Sequence, residues 1–309
     1  MLTYNRLIKH RQAFKSLTGL SVSEFDELYT RFEPAWEQAE IVRLSRSGRK
    51  RAIGGGGRYL HSQRSQLVMV MMWLRLYLST AALGALFDVN KSTISRNSRR
   101  LLKVLNEISA PTLSWPDPPQ QGLSLDEAMK RYPDLLAVVD VTEQIILRPQ
   151  DPQREREHFS GKRRLPTAKN GLLVNEVGEI RAVTRSYPGR THDLTLVRQS
   201  NVLAHLPYEV ALIGDSAFNG LHNDYPLHRV ATAHKAERNH PLTIDHKLAN
   251  HELSTQRIIV ENVIAHLKKF SILAGRFRHA LDPIHSDAFC VVAALVNRRT
   301  RLRLNRLTA

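Results

Sequence analysis

Residues 135–147 read Leu-Leu-Ala-Val-Val-Asp-Val-Thr-Glu-Gln-Ile-Ile-Leu. A short apolar run rich in valine predicts a buried strand, which ends at Asp140 or continues through Gln144–Leu147. Working outward, Asn170-Gly-Leu-Leu-Val-Asn175 predicts a second strand. Glu176-Val-Gly-Glu179 then predicts a hairpin turn centred on Gly178, with Ile180–Ser186 as the returning strand. Gly189-Arg-Thr-His-Asp193 precedes a helix over Leu194–Leu203, where Asp193 suits an N-cap. A fourth apolar strand, Glu209–Asp215, again closes on an aspartate. After an irregular stretch, a helix is predicted from about Thr255 to Lys269, and a last one from about Ser286 to Arg299.

Strand, strand, strand, helix, strand, helix is the chain order of an α/β ribonuclease H-like core. In that layout Asp140 lies in or at the end of the first strand, Asp215 ends the fourth, and Glu261 lies on a following helix. Arg257, Glu261 and Lys268 fall at i, i+4 and i+11, one face of that helix. Asp140, Asp215 and Glu261 are therefore the candidate catalytic and metal-binding residues. An all-carboxylate site suits hard cations, and two Mg²⁺ or Mn²⁺ ions so held perform phosphodiester chemistry. Clustered carboxylates repel one another, and Arg257 and Lys268 are placed to offset this and to grip phosphate. Asp193 competes with Asp215 for the second position, but Asp215 ends an apolar strand.

The 309 residues carry 45 Lys and Arg against 29 acids, a net charge of +16 that calls for a polyanionic partner. Residues 1–109 hold 18 of those cations and 8 of the acids, a net of +10. The longest apolar stretch, Leu67–Leu78, is short and contains Arg75, which excludes a membrane span. Met1–Arg6 has no signal-peptide core, so the expected location is the bacterial cytoplasm, with the nucleoid. The single cysteine, Cys290, excludes an intramolecular disulfide and a multi-cysteine zinc site, and its apolar surroundings read as core.

Residues 110–121, Ala-Pro-Thr-Leu-Ser-Trp-Pro-Asp-Pro-Pro-Gln-Gln, read as a proline-rich linker. They separate an all-helical domain, 1–109, from the α/β domain, 122–309, with its basic C-terminal tail. Within the first, Ser23–Phe32 has a helical period with Ser21 or Ser23 as N-cap. Arg43–Arg64 carries seven cations, no acid and Gly54–Gly57, and reads as a basic loop. Residues 62–107 form a helix-turn-helix pattern: a helix over Gln63–Tyr77, a second over Ala81–Phe87, a turn at Asp88–Lys91, and a third capped by Ser92. Gly84, Leu86, Val89, Ile94 and Leu101 are its expected core. Thr93, Ser95, Arg96, Arg99 and Arg100 would face base edges or phosphates. Five arginines between Arg298 and Arg306 make a basic tail.

The chain resembles the DDE superfamily of insertion-sequence transposases, in the bacterial group related to Harbinger-type transposases. Four segments carry the resemblance: Val139-Asp-Val-Thr-Glu143, His158-Phe-Ser-Gly-Lys162, Pro188–Asp193 with Gly214-Asp-Ser-Ala-Phe218, and Arg257–Lys268. The last is the most specific, since arginine, three residues, glutamate, six residues, lysine matches the family signature. The chain departs from the pattern at Val141, at Ala217-Phe218 and at Ser254, where the family often has glycine, glycine-tyrosine and tyrosine. The resemblance implies a metal-dependent enzyme that cleaves transposon ends and joins them to target DNA. It places Lys162 near DNA and implies double-stranded terminal inverted repeats and target DNA as partners, with a homodimer or higher oligomer. A non-catalytic DNA-binding derivative and a host nuclease on the same core are the alternatives.

Overall fold

The computed structural model describes residues 1–45, 48, 60–114, 136–204, 206, 207, 210–236, 241–279, 281 and 283–308. The glycine run, Trp115, most of the proline-rich segment and Glu209 lie outside them. The chain forms two compact units: Met1–Thr112 with Lys268–Ala274, and Leu113–Leu267 with Gly275–Ala309.

The first unit is helical. Its helices are α1 (Tyr4–Leu7), α2 (Arg11–Thr18), α3 (Val22–Leu44), α4 (Gln63–Leu76), α5 (Thr80–Phe87) and α6 (Lys91–Ser109). Ser21 starts α3 with a capping box: its hydroxyl accepts from the Glu24 amide, and the Glu24 carboxylate accepts from the Ser21 amide. Ser62 and Ser79 cap α4 and α5 more simply, their hydroxyls accepting from the Ser65 and Ala82 amides. α4 is buried over most of its circumference, as its apolar run Leu67–Leu74 requires. Phe14, Phe25, Phe32, Trp36 and Trp73 pack in this unit's core.

The helix-turn-helix differs from expectation in two details. Asn90, not Ser92, caps α6: Asn90 has extended backbone, and its side-chain oxygen accepts from the Ser92 amide at 2.9 Å. Leu86 is exposed, and Leu83 and Phe87 fill the core beside Ile94 and Leu101. Gly84 is required for close approach, because a Cβ there would lie 2.6 Å from the Val89 carbonyl oxygen.

The second unit is built on a mixed sheet. Its strands are β1 (Leu136–Ile145), β2 (Phe159–Ser160), β3 (Leu165–Asn175), β4 (Ile180–Val183), β5 (Tyr187–Pro188), β6 (Ala211–Gly214) and β7 (Val230–Thr232). The order is β2-β3-β1-β6-β7, with β4 and β5 also pairing to β3. β1, β3 and β4 pair antiparallel, whereas β6 joins β1 and β7 joins β6 in parallel. Antiparallel strands followed by parallel ones, with a helix at the change of direction, make this a ribonuclease H-like core. β7 was not legible as a strand, since only three residues of it pair.

Helices α7 (Pro152–His158), α8 (Asp193–Ser200), α9 (Leu221–Asp224), α10 (Ile244–Lys268) and α12 (Ile284–Thr308) complete this unit, and α11 (Ser271–Ala274) belongs to the first. Ala137, Val139, Leu173, Val197, Leu212 and Phe218 form one continuous core. The expected strand over Ile180–Ser186 stops at Val183, and the chain pairs again at Tyr187. α12 runs on through the arginine-rich tail, so that segment is helix. It is clipped to β4 by Asn297, which accepts from the Ile180 amide and donates to its carbonyl, each at 2.7 Å. Arg301 adds an ion pair to Glu179 at 2.6 Å.

Candidate active site

The register of two parallel strands builds the site. Val138 on β1 lies opposite Ile213 on β6, and β6 ends one residue later at Gly214. Asp140 and Asp215 each lie two residues beyond that pair, so they point to the same side of neighbouring strands. Asp140 lies within β1, not at its end, because β1 continues against β3, where Asp140 faces Leu172. What stops at this level is β6, and the aspartates line the notch it leaves. Ligand sites of α/β sheets fall at such carboxyl ends of strands.

Each carboxylate is oriented by the local chain. Asp140 accepts a hydrogen bond from the Val141 amide at 2.7 Å. Asp215 caps the short 3₁₀ turn Ser216–Phe218, accepting from the Ala217 amide at 2.8 Å. Both face Arg257, on the half-buried side of α10: its guanidinium lies 3.6 Å from Asp140 and 4.0 Å from Asp215. Burial pushes the Asp140 carboxyl up to about 6, against the pull of the Val141 amide and Arg257. The charges of Asp215 and Asp193 add to the rise.

Asp193 is the first residue of α8, not its N-cap. His192 adopts the extended cap backbone but makes no side-chain cap bond. The Asp193 carboxylate is instead paired with Lys169 Nζ at 2.8 Å. That ammonium also donates to the Thr191 carbonyl at 2.9 Å. Lys169 is half-buried on β3 and belongs to the site through its pair with Asp193. Its signal was a lysine directly preceding the apolar run Asn170-Gly-Leu-Leu-Val-Asn175.

Glu261 lies one turn beyond Arg257 on α10 and is exposed. The structure thus gathers Asp140, Asp215 and Arg257, with Asp193 and Lys169 beside them. No group of three or more His, Cys, Asp or Glu close enough to hold a metal ion occurs among the described residues. Lys268, the last residue of α10, is exposed and belongs to the helical unit.

The nucleic-acid candidates are on two elements. Arg96 and Arg99 are exposed on α6, with Thr93 and Ser95 half-buried beside them. Arg100 differs: its guanidinium lies 5.1 Å from the Trp36 ring centre and is paired with Glu40. Lys162, Arg163 and Arg164 are exposed at the tip of the β2–β3 hairpin. The turn is closed by the Arg164 amide donating to the Ser160 carbonyl at 2.7 Å, with Arg164 at φ 56°. Gly189 packs under this hairpin, where a Cβ would lie 2.6 Å from the His158 carbonyl oxygen.

Cys290 is buried, and burial pushes its thiol up to about 12, which disfavours the thiolate at neutral pH. No helix among the described residues is long and apolar enough to cross a membrane.

Comparison with known proteins identifies the family of both units. A family model described as DDE superfamily endonuclease matches residues 139–297, which include Asp140, Asp215, Arg257 and Glu261. A second, the helix-turn-helix of DDE superfamily endonuclease, matches residues 58–111. The chain is also similar to a protein of Microchaete diplosiphon named "Probable transposase for insertion sequence element IS702". The two are 26% identical over 268 residues, 86% of this chain and 87% of the other.

Proposed function

This chain belongs to the DDE superfamily of endonucleases, and we propose that it is a transposase that cuts the ends of an insertion sequence and joins them to target DNA. The observation that carries the reading is the convergence of Asp140 and Asp215 at the end of β6, in a chain that also bears a helix-turn-helix. The similarity to a named insertion-sequence transposase supports it.

Enzymes of this superfamily generally use divalent metal ions. The donor set fits such ions: two half-buried carboxylates on neighbouring strands converge and share one loosely placed guanidinium. Asp140 and Asp215 would hold Mg²⁺ or Mn²⁺, two ions in all, with Glu261 as the third carboxylate. Bound there, the ions supply activation of the attacking oxygen and neutralisation of the leaving one. The protein's own groups position the DNA. Amides of Val141 and Ala217 fix the two carboxylates. Lys169, tied to Asp193, sets a cation beside them for a phosphate. Arg96 and Arg99 read or grip duplex DNA from α6, and Lys162 contacts backbone from the hairpin. Because two ends are joined together, the working form is at least a homodimer.

The test is incubation of the protein with duplexes carrying its flanking terminal inverted repeats and Mg²⁺ or Mn²⁺. Metal-dependent 3′-hydroxyl ends and joined products are expected, with at least a roughly hundredfold loss in Asp140→Ala and Glu261→Gln and unchanged DNA binding. Binding without cleavage, identical in all three proteins, would favour a non-catalytic DNA-binding protein. Cleavage without joining would favour a nuclease.

A further inference from the structure

We propose that Arg257 is a resident counter-ion for Asp140 and Asp215 that a divalent cation must displace, so that the aspartate pair is neutralised by side chain or metal in turn. This rests on the reading of Asp140 and Asp215 as metal ligands.

The geometry is that of a cation held by charge and not by bonding. A guanidinium and a carboxylate in good register make two parallel N–H···O contacts, typically about 2.7–2.9 Å. Arg257 Nη2 instead stands 3.6 Å from one aspartate and 4.0 Å from the other, divided between two strands. Its Nε is buried and has no hydrogen-bond partner. An Arg kept for structure normally has its donors satisfied, because an unpaired buried donor is costly. The Lys169–Asp193 pair beside it shows the contrast: it closes to 2.8 Å and has a backbone carbonyl as well. Asp193 thus has its own cation, while Asp140 and Asp215 share one, which leaves that trio a net negative charge.

A small ion of charge +2 neutralises two carboxylates better than one loosely placed guanidinium does. Both cannot stand between the carboxylates at full contact. Arg257 lies on α10 with most of a long flexible side chain between backbone and charge, so release needs no movement of the helix. Freed, the guanidinium becomes available to a DNA phosphate at the moment the site is loaded. The device spares the metal-free protein the repulsion of two bare carboxylates and lowers the affinity for metal in exchange.

The experiment is Mn²⁺ titration of the intact DNA-free protein, followed by electron paramagnetic resonance. Wild type, Arg257→Gln, Arg257→Lys and Asp140→Asn are compared. Arg257→Gln is expected to bind Mn²⁺ about tenfold more tightly, the equivalent of one modest ion pair. Arg257→Lys should stay near wild type, and Asp140→Asn should lose binding. Unchanged or weaker binding in Arg257→Gln, with binding lost in Asp140→Asn, would overturn the inference alone. Equal binding in wild type and Asp140→Asn would instead overturn the assignment of the ligands. A second readout needs no variant: Mg²⁺ should increase phenylglyoxal labelling of Arg257, mapped by mass spectrometry. Equal labelling with and without Mg²⁺ would also sink the proposal.

Discussion

At the residue scale, two titratable groups, half-buried Asp140 and buried His285, pull the acid stability of the α/β unit in opposite directions. Asp140, raised to about 6, holds its proton over a pH range where the unfolded chain has lost it. Its contribution is therefore fully present below about pH 4 and is lost as pH rises through about 6. His285 does the reverse. It is buried between Ser186, whose hydroxyl lies 2.6 Å from Nδ1, and Gln144, whose Oε1 lies 2.7 Å from Nε2. Gln144 donates its amide to the Gly275 carbonyl, so its oxygen accepts, Nε2 carries the hydrogen, and Nδ1 accepts from Ser186. Burial lowers this imidazole to about 4, so its contribution is present above about pH 6.5 and is lost as pH falls toward 4. Asp140→Asn should thus stabilise the metal-free protein at pH 7 by about 1–3 kcal/mol, measured by urea unfolding in chelator. The same variant should also lose stability more steeply than wild type between pH 6.5 and 4, because the His285 effect is no longer masked. Equal slopes would show that Asp140 titrates normally in the folded protein.

At the element scale, the β2–β3 hairpin offers the clearest test of DNA contact outside the helix-turn-helix. Lys162, Arg163 and Arg164 are exposed on a tip whose backbone is fixed by the Ser160–Arg164 hydrogen bond. Phosphate contacts release counterions, so each lost contact flattens the dependence of log affinity on log salt by about 0.9. Replacing all three by alanine should reduce that slope by up to about 3 in anisotropy titrations between about 50 and 200 mM salt, without altering sequence preference. An unchanged slope would mean that the hairpin stays clear of DNA. This element also shows how far a motif reaches. His158-Phe-Ser-Gly-Lys162 was legible as a resemblance, but the turn geometry that exposes Lys162 depends on β3 pairing with β2. Asp193 is a parallel case. An aspartate at a helix start reads as a cap, yet the cap position is His192 and the carboxylate goes to Lys169, which is far away in sequence.

At the scale of the whole molecule, the chain leaves the α/β unit at the end of α10, contributes Lys268–Ala274 to the helical unit, and returns. Phe270, Ile272 and Leu273 are buried there. The Phe270 ring lies under the Arg75 guanidinium at 5.4 Å and against Gly19, where a Cβ would stand 3.1 Å from it. Phe270→Ala removes a fully buried aromatic ring and should destabilise the helical unit by about 3–5 kcal/mol. Trp36 and Trp73 both lie in that unit and report its unfolding by fluorescence. An unfolding midpoint equal to wild type would show that the ring carries no packing energy.

The sequence by itself determined the longer strands, the helix-turn-helix, the positions of the two aspartates and the Arg257–Glu261 spacing. Those are local properties: a β-branched run, an N-cap and a helical period are written in contiguous residues. Only the tertiary structure decided which groups meet. The in-register parallel pairing of Val138 with Ile213 sets Asp140 beside Asp215. The pose of α10 aims Arg257 at both and leaves Glu261 exposed. The surplus negative charge of that pair comes from residues dozens of positions apart. Distance and dielectric act through space, and no spacing along the chain encodes them.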